Sequence, residues 1–194
     1  MTAPRLDRIR SRELWSKARD FDELCSLGAR FSAGTIAHFP GWGASALDVE
    51  SDAIQDELVL LARAGWLTTC SQPGLEDAAR ELRQRAFVCG FASEALAQRL
   101  AELDGRASLR VRAVHGASAG FGEVAVTMER GLARVVLGGP AFEAELECFA
   151  ADLRPEVLAE LARRPYVCAW DEDWGPSVQL WNALRELLRP DGRF

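Results

Sequence analysis

The run Leu67-Thr68-Thr69-Cys70-Ser71-Gln72-Pro73 puts hydroxyl and carboxamide groups at the end of a β-prone stretch. A hydroxyl inside a strand costs free energy unless a polar partner meets it. Side chains alternate across a strand, so Thr68 and Cys70 face one side and Thr69 and Ser71 the other until a turn begins. Such a set suits a small polar ligand, although threonine is also an ordinary strand residue because its branched side chain fits a pleated surface. Upstream, Glu50-Ser51 adds a carboxylate and a hydroxyl at the head of a helical pattern.

Other constellations carry less chemistry. Gly116-Ala117-Ser118-Ala119-Gly120 has the spacing of a nucleophile elbow, which needs a strand before it and a helix after it. Here the following residues are strand-like, and both histidines precede Ser118, so the segment reads as a flexible loop. His38 and His115 are lone histidines with no acid at an obvious partner spacing. Asp171-Glu172-Asp173 follows a strand, but adjacent acids point in different directions and rarely chelate one ion, so a solvated turn is expected and no metal. Trp42 and Trp174 lie in loops beside glycine and could pack, stack on a purine or meet a cation.

The elements that position these residues follow from periodicity. Residues 1–10 read as a flexible N-terminus and 11–190 as a single domain. Helices are expected from Ser11, from Asp20 or Asp22 to Gly34, from Asp48 to Gly65, from Ser93 to Leu103 with Ser93 as cap, from Pro155 to Arg163 and from Pro176 to Leu187. Strands are expected at 66–70, 85–91, 107–114, 123–128, 132–137 and 166–170. Ser71-Gln72-Pro73-Gly74 reads as a break, residues 76–83 as helix or loop, and 141–150 as ambiguous. The sum is an α+β domain with a mixed β-sheet core flanked by helices.

The chain has 194 residues and a formal charge of −6, so no basic field exists to gather phosphates, and nucleic acid is not an expected partner. Lys17 is the single lysine among 23 basic residues, which sets aside Schiff-base and P-loop lysine chemistry. The arginine and alanine richness fits a GC-rich bacterial genome. No long apolar run predicts a membrane span or a signal core. Five cysteines without a Cys-x-x-Cys pair point to reduced thiols in the cytoplasm rather than to zinc or disulfides.

The 67–73 phrase resembles the Leu-Thr-x-Asn-Ser-Gln-Pro segment of the C-terminal regulatory domain of eukaryotic methylenetetrahydrofolate reductase. Glu50-Ser51 is similar to a Glu-Thr pair at the same separation. Ala125-Val126-Thr127 resembles an Ala-Val-Thr strand of that domain. Tyr166 to Trp174, followed by Leu180-Trp181, is similar to its closing strand, acidic turn and Leu-Trp helix. The likeness covers roughly residues 45–190 in patches, with Cys70 in place of the family asparagine, and the 44 residues before it are too few for a reductase barrel, so none is expected.

The resemblance implies a stand-alone, sensor-like domain that binds S-adenosylmethionine or S-adenosylhomocysteine. Glu50, Ser51, Thr68, Ser71 and Thr127 are the implied ligand contacts, with Gln72 either a contact or a brace for the turn. The implied mechanism is ordering of a loop after Ser71, which changes a surface offered to a protein partner. An enzyme consuming S-adenosylmethionine (lyase, cyclase or methyl transfer) is the alternative, with Glu50 or Asp171 as base. A protein-interaction module that has lost the ligand is the other.

Overall fold

A computed structural model describes residues 5–116, 121–138 and 141–189. The Gly-x-Ser-x-Gly pattern falls largely outside these residues, Ser118 included. Helix α1 (Arg5–Lys17) begins before the expected Ser11. Helix α2 (Phe21–Ser32) starts at the Asp20 cap, whose carboxylate accepts from the Glu23 amide at 2.9 Å. Its Phe21, Leu24, Leu27 and Phe31 form an apolar stripe, and acids occupy its first turn where the helix dipole favours them. The stretch expected as one helix from Asp48 divides into a 3-10 segment, Val49–Ile54, and α3 (Gln55–Arg63).

Strand β1 (Trp66–Asp77) runs well past Cys70. The expected break at Ser71-Gln72-Pro73-Gly74 is strand instead, because β2 (Leu82–Ala92) offers a pairing partner along its whole length: Ser71 faces Val88, Gln72 faces Phe87 and Pro73 faces Ala86. Proline is tolerated where a strand has a free edge. Gly74, at φ +87, approaches the Gly175 carbonyl too closely for any side chain. Residues 76–83 are accordingly the strand ends and a 3-10 turn, Ala78–Arg80, whose amides at 79 and 80 bond to the Asp77 carboxylate.

The remaining elements are α4 (Glu94–Ala101), β3 (Leu109–Val114), β4 (Val124–Glu129), β5 (Leu132–Leu137), α5 (Ala141–Ala150), α6 (Pro155–Leu161), β6 (Tyr166–Asp171) and α7 (Val178–Leu188). Ser93 caps α4 as expected, accepting from the Leu96 amide at 3.3 Å. The six strands form one sheet in the order β3-β6-β2-β4-β5, with β1 on the other edge of β2. Every pairing is antiparallel, so the α+β class holds while the sheet is not mixed. Antiparallel pairs do not need the βαβ crossovers that parallel pairs require, and among the described residues none occurs.

Both faces of the sheet centre are covered. Phe87, Cys89 and Phe91 of β2, with Tyr166, Cys168 and Trp170 of β6, point into one core with Trp15, Phe21, Phe31, Phe39 and Phe149. Ala86, Val88 and Ala92, with Val167 and Ala169, point into the other with Leu58, Leu61, Trp66, Leu100, Leu180 and Trp181. The first core is a run of edge-to-face aromatic pairs, such as Trp15–Phe39 at 5.1 Å and Phe91–Tyr166 at 5.1 Å.

Between Thr68 and Cys70 the β1–β2 register shifts by a bulge at Thr69. Gly90 makes the bulge possible: a Cβ there would overlap the Leu67 carbonyl oxygen and lie 2.6 Å from the Thr68 Cα, both backbone atoms that cannot step aside. Gly90→Ala is therefore expected to destabilise the domain by about 1–3 kcal/mol, the range for overpacking a close-packed site. A urea denaturation midpoint equal to that of the parent protein would contradict the bulge geometry.

Candidate functional site

A cleft of about 80 Å³ lies where the end of α2, the 3-10 segment and α3 meet the middle of β1. Its floor is the consecutive run Thr68, Thr69, Cys70, Ser71 and Gln72, and Ser51 stands opposite. Successive strand side chains point to opposite faces. A cleft touched by all five therefore runs along the outer edge of β1, the edge that β2 does not use. Phe31, Phe39 and Trp42 form an aromatic wall, with Leu47, Leu58 and Asp48 nearby. The Gln55 side chain donates to the Ser32 carbonyl at 2.7 Å and ties α3 to the end of α2 at the cleft's back.

Ser51, Thr68, Ser71 and Gln72 thus come together, although Ser51 arrives from a separate segment. Gln72 does not brace a turn, since it is in the strand. Its Oε1 is buried with no hydrogen-bond partner. An unpaired buried carbonyl costs roughly 1–3 kcal/mol, so this atom would gain from a hydrogen-bond donor. Glu50 is exposed and does not line the cleft; the 3-10 segment turns Ser51 inward and Glu50 out. Asp48 is the carboxylate at the rim instead, a residue the sequence pattern did not single out.

Thr127 also lies elsewhere. It is buried in β4 opposite Gln84 of β2, while the cleft is on β1 across β2. Thr127 Oγ1 and Gln84 Oε1 are both buried without partners, side by side in the register. Of the implied contacts, then, Glu50 and Thr127 stand apart from the other four.

Directly behind Thr69 is a second polar group. Thr69 Oγ1 and Tyr166 OH are 3.1 Å apart. Burial pushes the Glu145 carboxyl of α5 above its ordinary value, against the lowering influence of the Thr69 and Tyr166 hydroxyls. The segment 141–150 was ambiguous because an acid interrupts its apolar stripe. Glu145 precedes the fully buried Phe149 by one helical turn, and that inward placement was its only sequence signal.

His38 is not lone: its Nε2 is 2.6 Å from Asp152 Oδ2, and Arg12 Nε donates to the other carboxylate oxygen at 2.5 Å. His115 lies on the surface 3.6 Å from Glu94. In the acidic turn, Asp171 accepts from Ser108 at 2.5 Å, from Ser177 and from the Asp173 amide at 3.1 Å, while Glu172 pairs with Arg110 at 2.8 Å. These acids hold a turn, and among the described residues no cluster suited to a metal occurs. Trp42 reaches the cleft, whereas Trp174 is covered by the guanidinium groups of Arg83 and Arg85, 4.6 and 4.4 Å from its ring. A shallower groove of about 600 Å³ beside α2 and the α3–β1 junction is lined by residues such as Ser26, Arg30, Arg63 and Ser93. It contains none of the sequence-chosen residues and no buried unpaired polar atom.

Residues 10–191 match a family described as "Domain of unknown function (DUF6919)". The chain belongs to that family. The match takes in both cores, the cleft and the Glu145 group, so all of them lie inside the family domain. No curated protein matches the chain.

The family domain here carries a row of thiols across three strands: Cys70 faces Cys89, and Cys89 faces Cys168. All five cysteines are free. Burial pushes the Cys70 and Cys25 thiols up to about 12, and Cys89 well above its ordinary range. Since the thiolate is the nucleophile, these groups are inert near neutrality. Cys148, on the exposed face of α5, is the accessible thiol. A maleimide reagent is expected to modify one of the five cysteines in the native protein and the others only after unfolding, as counted by intact mass. Fast native labelling at Cys70 would show the cleft floor to be far more open.

Proposed function

We propose that this domain is a cytoplasmic sensor that binds S-adenosylmethionine or S-adenosylhomocysteine along the outer edge of β1. The observation that carries the reading is the buried, unpaired Gln72 Oε1 in a cleft shared with the Ser51, Thr68 and Ser71 side chains. The exocyclic amine of an adenine is a donor of the kind that oxygen lacks. Phe31, Phe39 and Trp42 offer faces for a purine, and Asp48 replaces Glu50 as the carboxylate for ribose hydroxyls or the ammonium group. The patchwise resemblance to the methylenetetrahydrofolate reductase regulatory domain supports the same ligand class. Five free thiols fit a reducing compartment, and among the described residues no helix is long and apolar enough to cross a membrane.

Ligand pockets for molecules of this size measure roughly 300 Å³ or more. The cleft must therefore open. The moving part is the irregular segment 40–48 rather than a loop after Ser71. Trp42 bonds mainly within its own segment, its indole donating to Ala46 at 3.1 Å and its amide to Phe39 at 3.0 Å. Ligand-dependent displacement of this wall alters the adjacent surface, and the two states must differ in affinity for the change to be driven.

A turnover reading loses both bases assigned to it, because Glu50 is outside the cleft and Asp171 is held in its turn. A protein-interaction reading has one observation in its favour: the edge strand β5 exposes Leu132 at 61% and Val136 at 42%.

Titration calorimetry with each adenosyl compound tests the proposal. Saturable binding of at least one is expected, with a stabilisation of about 2.7 kcal/mol at a hundredfold excess over Kd. Ser71→Ala is expected to weaken binding by roughly tenfold, near the loss of one hydrogen bond, while Thr127→Val leaves it unchanged. No heat with either compound removes the adenosyl reading and leaves the β5 partner reading.

A further inference from the structure

The stretch from Phe31 to Ala62 supplies the aromatic wall and the side of the cleft that faces β1. It contains five acids, Asp48, Glu50, Asp52, Asp56 and Glu57, and neither a lysine nor an arginine. Its histidine, His38, is turned to Asp152, and Glu57 is buried and paired with Arg185 of α7. Of the described residues that line the cleft, Asp48 alone is charged. It stands at the N-cap of the 3-10 segment, where an aspartate ordinarily accepts from an amide of the first turn. Here the Ser51 amide donates instead to the Asp48 main-chain carbonyl at 2.8 Å, and the side chain makes no cap bond. Among the described residues the carboxylate enters no ion pair either. A free carboxylate thus stands at the rim of a cleft that holds no cation.

A carboxylate among like charges gains most from a positive group, because a neutral partner leaves the repulsion between the acids in place. The wall favours the same partner: the ring faces of Phe31, Phe39 and Trp42 are electron-rich, which draws cations and repels anions. An adenosyl amino acid brings a cation in its ammonium group, and the Ser51, Thr68 and Ser71 hydroxyls remain for the carboxylate of the same head. A phosphate would meet no cation among these residues. We infer that Asp48 is the specificity-determining residue of the cleft, pairing with the ammonium group of the amino-acid head and turning away adenosine phosphates. This rests on the adenosyl reading above and decides between the ribose and ammonium roles open to that carboxylate.

Glu50 supplies an internal contrast. It lies two residues on, carries the same charge, is exposed and stands outside the cleft. A general acidic field would act through both residues, whereas a contact acts through Asp48 alone. The contact is also one that salt weakens, since exposed charges are screened within about 3 Å at about 1 M ionic strength. Asp48 ends the segment 40–48 that carries Trp42, so the carboxylate and the indole belong to the same part of the wall. A head group held by Asp48 therefore engages that wall through its charge, which a nucleoside without a head does not do.

The experiment is calorimetry with both adenosyl compounds, with methylthioadenosine (the nucleoside and sulfur without the amino-acid head) and with adenosine 5′-phosphate. The proteins are the parent, Asp48→Asn and Glu50→Gln. Asp48 is exposed and its side chain caps nothing, so Asp48→Asn is expected to keep the parent's denaturation midpoint. The parent is expected to bind the adenosyl amino acids roughly tenfold or more tightly than the phosphate. Asp48→Asn is expected to lose about threefold to fivefold for the adenosyl amino acids, the range of an exposed ion pair, with methylthioadenosine held within about twofold. That loss is expected to vanish in about 1 M salt, and Glu50→Gln to bind every compound as the parent does. Equal losses for the adenosyl amino acids and methylthioadenosine would put the carboxylate on the ribose. An equal loss in Glu50→Gln would make the effect a general field, and a phosphate bound as tightly as the adenosyl amino acids would show no selection by charge. Each of these overturns the inference and leaves the adenosyl reading standing. If neither adenosyl compound binds the parent protein, both readings fall.

Discussion

Strand β2 is paired along both edges and buried on both faces, and the rest of the molecule is arranged by that fact. Phe87, Val88, Phe91 and Ala92 are fully enclosed. On one edge β1 pairs from Leu82 to Ala92; on the other, β4 takes Leu82–Gln84 and β6 takes Phe87–Phe91. Every backbone group buried in this centre needs a partner, so a neighbour cannot end where its own turn residues suggest. That is why β1 continues through Ser71-Gln72-Pro73-Gly74. The cleft floor inherits this rigidity, because each floor residue except Thr69 sits in register against β2.

The same constraint separates what was legible in the sequence from what was not. Helices α2, α4 and α7 showed through their apolar stripes, and α4 also through its Ser93 cap, which bonds an amide of the first turn. Strand β6 showed as an apolar run because both of its faces are buried. The extension of β1 did not, because Pro-Gly punctuation is a local signal and pairing with β2 is not. Strand direction was equally hidden, as no residue encodes whether its neighbour runs with it or against it. In the site, Thr68, Ser71 and Gln72 were legible as one phrase, and Ser51 joined them through the fold. Glu50 lies outside the cleft because a 3-10 turn distributes neighbours differently from an α-helix. Thr127 is one strand beyond β2, a distance that linear patches cannot report. His38 and Asp152 are 114 residues apart, so their pairing had no local trace.

Buried polar atoms are unevenly distributed over the fold. The thiol row Cys70–Cys89–Cys168 packs as small, weakly polar groups against the aromatic core, at little cost while protonated. Gln72, Gln84 and Thr127 instead bury oxygens that could accept or exchange hydrogen bonds and have none. Gln84 and Thr127 face each other in the β2–β4 register. Gln72 has no such neighbour in register, since it faces Phe87. Among these atoms it is the one whose residue lines the cleft.

Helix α5 links the two walls of that cleft. It carries Glu145 behind the floor and Phe149 in the aromatic core. At its outer side Gly41, at φ +75, packs so closely on Cys148 that a Cβ would lie 2.8 Å from the sulfur. Just beyond its end, Asp152 holds His38 at 2.6 Å. The backbone that precedes Trp42 is therefore fastened to α5 and its following turn, not to β1. The floor and the wall of the cleft thus answer to different constraints: the floor to pairing with β2, the wall to packing on α5 and to the His38–Asp152 contact.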